Sequence, residues 1–91
     1  MNQVTYESAV ELARIAVERL AAKSDDTFEL LLDETKEIPI GWVFFYNSAD
    51  YARTRNPIDA LAGNGPLLVV RSGRIIEMPS SIPWEESVRT I

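Results

Sequence analysis

Apolar residues recur near the start of the chain at Tyr6, Ala9, Val10, Ala13, Ala16, Val17 and Leu20, the spacing of one helical face. Thr5 is a natural N-cap, and Glu7 stands in the first turn, where the helix dipole favours an acid. The pattern predicts a helix over residues 5–22, with Arg14, Glu18 and Arg19 off the stripe. Leu12 and Ile15 form a weaker apolar edge roughly opposite Tyr6. Lys23-Ser24-Asp25-Asp26 then breaks the period and reads as a loop.

Further on, the period shortens to two. Residues 27–34 alternate through Phe28, Leu30 and Leu32, with Leu31 on the opposite face, and predict a strand. A turn at 35–39 leads to a second strand at 40–47, rich in aromatic and β-branched residues. Its two faces are Ile40, Trp42, Phe44, Tyr46 and Gly41, Val43, Phe45, Asn47. Both are largely apolar, as expected for a central strand covered on each side. Residues 48–64 predict a long connection with one short helical turn, capped by Asn56, opened by Pro57 and stopped by Gly63. Two more strands, 66–71 and 74–78, are joined through Ser72-Gly73 in a tight hairpin. After the loop Pro79-Ser80-Ser81, Ser81 is placed to cap a closing helix with Pro83 near its first turn and Glu85 and Glu86 near its positive end.

The summed order is α-β-β-(α)-β-β-α. It predicts a single α+β domain over residues 1–91, a four-stranded antiparallel sheet packed by the long N-terminal helix. One long helix covers one sheet face and leaves little to cover the other. A homodimer through that uncovered face is one way to shelter it, because a self-complementary patch pairs two copies.

Charge and composition narrow the function. The chain carries 9 Lys+Arg against 14 Asp+Glu, a net charge of −5, which disfavours a nucleic-acid partner held by phosphate neutralisation. Cys and His are both absent, which excludes disulfides, thiolate or imidazole metal sites and the usual nucleophilic triads. No apolar run approaches the roughly 20 residues of a membrane helix. The start MNQVTYES lacks the basic opening and apolar centre of a signal peptide, so a cytoplasmic protein with no membrane partner is expected. Gly63-Asn64-Gly65-Pro66 is not a phosphate loop, since no Lys-Ser/Thr follows and a strand rather than a helix comes next. Arg53 and Arg55 beside Tyr51 read as solvated loop residues. No carboxylate pair is marked out by a neighbouring nucleophile or a polar pocket pattern, so neither catalysis nor a cofactor or metal is expected.

Two features suit a protein partner. Trp42, Phe44 and Tyr46 share one face of an extended segment. Packing the helix on the Val43 and Phe45 side would leave them partly open as binding anchors, whereas the reverse packing makes them core. Asp25, Asp26, Glu29, Asp33, Glu34 and Glu37 fall within 13 positions whose only basic residue is Lys36, as either a solvated edge or a surface complementary to a basic partner. Trp84, next to Glu85 and Glu86, is an alternative anchor.

Gly41-Trp42-Val43-Phe44-Phe45-Tyr46-Asn47, then Leu61-Ala62-Gly63-Asn64-Gly65-Pro66-Leu67-Leu68-Val69, Gly73 and Ile82-Pro83-Trp84-Glu85-Glu86 resemble the immunity protein 35 family, which includes the YrhB-like small proteins. The resemblance runs in order over nearly the whole chain. It implies a cytoplasmic bacterial protein that binds a cognate polymorphic toxin and protects the producing cell. For the YrhB-like branch it implies instead a small stress-associated chaperone that binds exposed apolar segments of clients. Neither is a catalyst. The recurring Gly41, Trp42, Gly63, Gly65 and Pro66 are expected to be structural, as is the hairpin Gly73.

Overall fold

Thr5 opens the first helix as the spacing predicts: its side-chain oxygen accepts the Ser8 N–H at 3.1 Å. In the computed structural model, which describes residues 3–91, α1 runs Tyr6–Lys23. It ends at Ser24, whose N–H turns back to the Ala21 and Ala22 carbonyls. The buried stripe is Ala9, Ala13, Val17 and Ala21, small enough to bring the helix axis close to whatever lies beneath. No helix among the described residues is long and apolar enough to cross a membrane.

Each of the two long predicted strands is divided. Residues 27–34 supply β1 (Phe28–Leu30) and a 3-10 turn (Leu32–Glu34). The expected turn at 35–39 is largely a further strand, β2 (Lys36–Ile38), and the chain reverses at Pro39-Ile40. Residues 40–47 supply β3 (Gly41–Phe44) and β4 (Tyr46–Ser48), with Phe45 between them. β1 pairs antiparallel with β4 and β2 with β3, so the four pieces form one bent ribbon. At the bend the Leu31 N–H donates to the Phe45 carbonyl at 2.8 Å. The 3-10 turn also breaks the alternation: Leu31 is buried, whereas Leu32 is 44% exposed, the reverse of the face expected for a straight strand.

Downstream, β5 (Leu67–Val70) and β6 (Ile75–Glu77) form the expected hairpin. The result is two sheets rather than one: a four-stranded sheet in the order β2-β3-β5-β6 and a two-stranded one, β1-β4. The connection after β4 holds α2 (Ala49–Thr54), capped by the Ser48 hydroxyl, and then a 3-10 turn (Pro57–Asp59) capped by Asn56. That turn closes at Ala60, so Gly63 does not stop it. The closing helix α3 (Trp84–Ser87) starts at Pro83, with no side-chain cap from Ser81, and leads into a last 3-10 turn (Val88–Thr90).

Both sheet faces are covered. Ala9 and Ala13 of α1 pack on Trp42, Phe44 and Val69, and Val17 packs on Tyr46 and Leu67. On the opposite face Val43, Leu68 and Met78 lie beneath Trp84 and Val88. The helix therefore sits on the Trp42 side. A stripe of alanines complements bulky rings, whereas the smaller Val43 and Leu68 face meets the large Trp84. The uncovered face expected to carry a homodimer is filled by the C-terminal segment.

A candidate partner-binding flank

At the C-terminal end of α1 the chain turns through Asp25, whose φ of 53° lies in the left-handed region, and Asp26, whose carboxylate accepts the Thr27 N–H at 2.7 Å. This turn delivers β1, with Glu29 opposite Asn47 and its side chain in solvent. The following 3-10 turn carries Asp33 and Glu34. Arg55, at the left-handed C-cap of α2, donates to Asp33 at 3.0 Å and Glu34 at 3.1 Å. Five of the six acidic residues named from the sequence thus line one flank, from the end of α1 along β1 to the turn, whereas Glu37 stands on β2 and pairs with Arg71.

The flank is not uniform. Hydrogen bonding and the charge of Arg55 hold the Asp33 carboxyl below its ordinary value. Asp25, Asp26 and Glu29 have no basic group within 4.0 Å among the described residues, so their charge faces solvent unneutralised. Between α1 and β1 runs a groove of about 320 Å³, with Val17, Phe28, Leu30 and Leu32 as apolar walls and Glu18, Glu29 and Arg14 at its rim. Leu32 and Glu18 enter this surface although the sequence reading did not place them there; the bend in the ribbon turns Leu32 outward. No group of three or more carboxylates among the described residues is arranged to hold a metal ion.

The aromatic anchors lie elsewhere. Trp42 is 5% exposed, with the Tyr6 ring 6.2 Å away edge-on and the Arg71 guanidinium 4.7 Å above its face. Phe44 is fully buried and Tyr46 nearly so. Burial, reinforced by the charge of Glu77, pushes the Tyr46 phenol above its ordinary value. In this fold Trp42, Phe44 and Tyr46 are core residues and present no docking surface. Trp84 is half-buried and serves mainly as the lid over Val43, Leu68 and Met78, with Glu85 and Glu86 exposed beside it.

The glycine-rich motif is a joint in the scaffold. A Cβ on Gly65 would stand 1.9 Å from the Met78 carbonyl oxygen, so the two backbone segments meet only because that position is bare. Asn64 donates to the Tyr46 carbonyl at 2.9 Å, and the Pro66 carbonyl accepts the Met78 N–H at 2.9 Å. Gly41 is equally close-packed, against the Val69 carbonyl. Gly63 and Gly73 occupy loop and hairpin positions. Arg71, which no local pattern singles out, clamps the β2–β3 reversal by donating to the Pro39 and Ile38 carbonyls and to Glu37.

No curated protein and no solved structure matches the chain. The sequence model of immunity protein 35 matches residues 8–90, from the first turn of α1 to the last 3-10 turn, and the chain therefore belongs to the immunity protein 35 family.

Proposed function

We propose that this protein neutralises a cognate toxin in the cytoplasm of the producing bacterium by stoichiometric binding, offering its acidic flank to a basic face of that toxin and occluding it. The reading is carried by one observation beyond family membership: Glu29 stands unneutralised at the rim of a groove with apolar walls that exposes Leu32, and the unneutralised Asp25 and Asp26 precede it on the turn that delivers β1. Carboxylates at the rim steer association and select the partner, while apolar walls supply the desolvated contact that slows dissociation. A standard interface takes roughly 800 Å² from each partner, a modest share of the 5884 Å² surface of this chain. The protein contributes shape and charge, with no chemical step.

The test uses the toxin domain encoded beside this gene. A one-to-one complex is expected, with an association rate that falls as salt rises. Glu29→Lys should cut that rate by about tenfold at low salt, because it sets a cation against the basic face. Failure to form a complex refutes the toxin reading. A complex whose rate ignores both salt and Glu29→Lys moves the contact away from this flank.

A further inference from the structure

One large apolar side chain stands almost wholly in water. Ile58, on the 3-10 turn after α2, is 88% exposed, against 48% for Ile91, the next most exposed of its kind among the described residues. A lone exposed apolar residue is ordinary on any surface. Ile58 differs because the turn that carries it is fixed from both ends. The Asn56 side chain accepts the Ile58 N–H at 3.1 Å, and Pro57 locks the backbone just before it. The Thr54 hydroxyl accepts the Asn56 N–H at 3.1 Å and donates to the Asp59 carboxylate at 2.8 Å. The Ser48 hydroxyl donates to the Asp59 carbonyl at 2.6 Å, and the Asn47 side chain accepts the Leu61 N–H at 2.7 Å. These bonds hold in place a side chain that contributes almost nothing to the core.

The turn adjoins the acidic flank. Arg55, just before it, bonds Asp33 and Glu34, and at the other end of α2 Asp50 shares a hollow of about 270 Å³ with Asp26. Around the turn Asp33, Glu34, Asp50 and Asp59 outnumber Arg53 and Arg55. We propose that Ile58 is the apolar anchor of the toxin interface and enters an apolar pocket bordered by basic groups on the partner. This role presupposes the toxin reading and adds what the partner must present. A partner laid on the flank at Asp33 and Glu34 meets Arg55 and then the turn that carries Ile58. The acidic surround selects against a second copy of this chain, which would bring the same charges face to face. A turn already ordered loses little freedom on docking, so most of the gain from burying the side chain appears as affinity.

Binding kinetics of the full chain against the toxin domain encoded beside this gene test the anchor. Ile58→Val, one methylene smaller, should speed dissociation by about fourfold, and Ile58→Ala by about ten- to hundredfold. The salt dependence of association and the melting temperature of the free chain should stay at their wild-type values in both, because the side chain is uncharged and outside the core. A complex that dissociates at the wild-type rate in both variants overturns the anchor and leaves the toxin reading standing. Absence of any complex with the wild-type chain overturns both. Self-association of the free chain that Ile58→Ala abolishes also overturns it, since the occupant is then a second copy.

Discussion

Replacing Trp42 by alanine separates a core residue from a binding anchor. The side chain is 5% exposed and lies under Ala9 and Ala13, with Tyr6 and Arg71 on its remaining sides. Deleting a buried Trp costs about 3–5 kcal/mol, the upper part of that range where neighbours cannot collapse into the void. Two alanines have nothing to extend into it, so about 4–5 kcal/mol is expected here. A domain of this length has a total stability of roughly 5–14 kcal/mol, so the variant should lose about a third of it or more. Its melting temperature should fall by about 15–30 °C. Urea unfolding followed by circular dichroism, with Trp84 fluorescence as a second probe, measures the change. Below its new melting point the variant should still bind the proposed toxin partner at the wild-type rate. Glu29→Lys should do the opposite, moving stability by no more than about 0.5 kcal/mol while slowing association. A cost for Trp42→Ala under about 1 kcal/mol, with an unchanged denaturant slope, would refute the packing described above.

Two further substitutions probe the scaffold. Gly65→Ala places a methyl group against the Met78 backbone, which cannot rotate away, and should cost at least about 2 kcal/mol by thermal or chemical denaturation. Arg55→Gly relieves a left-handed backbone while removing the donor shared by Asp33 and Glu34, so stability at neutral pH should change little. The Asp33 carboxyl, lowered in the folded protein, contributes stability that is present above its ordinary value of 3.8 and lost as pH falls through the lowered one. In Arg55→Gly that acid-side loss should disappear, and a carboxyl carbon titration by nuclear magnetic resonance should show Asp33 returning to its ordinary range.

The helix, the β5–β6 hairpin and the Asn56-Pro57 turn are legible in the sequence because each is specified by residues within a few positions of one another. The division of the long strands is not. Alternation at Phe28, Leu30 and Leu32 says which residues share a face only while the strand stays straight, and the ribbon bends at Leu31 and Phe45. The side of the sheet taken by α1 follows from matching sizes across it, alanines against Trp42 and Phe44, a tertiary fact that periodicity does not carry. α2 has its signal in Ser48 followed by Asp50 in the first turn, but a helix of this length has little amphipathic stripe to read. At the candidate site the acidic run is visible from composition. The closing of Arg55 onto Asp33 and Glu34 from more than 20 positions away is not.

The side chains that hold this molecule together and those that border its β1 side are different sets. Ala9, Ala13, Trp42, Asn64 and Gly65 fix the frame, and none of them belongs to the carboxylates strung from Asp25 to Glu34. Substitutions along that border can therefore accumulate without loosening the frame. On the toxin reading proposed above, such a protein can follow an adversary that keeps changing, trading one surface charge at a time while its architecture stands still.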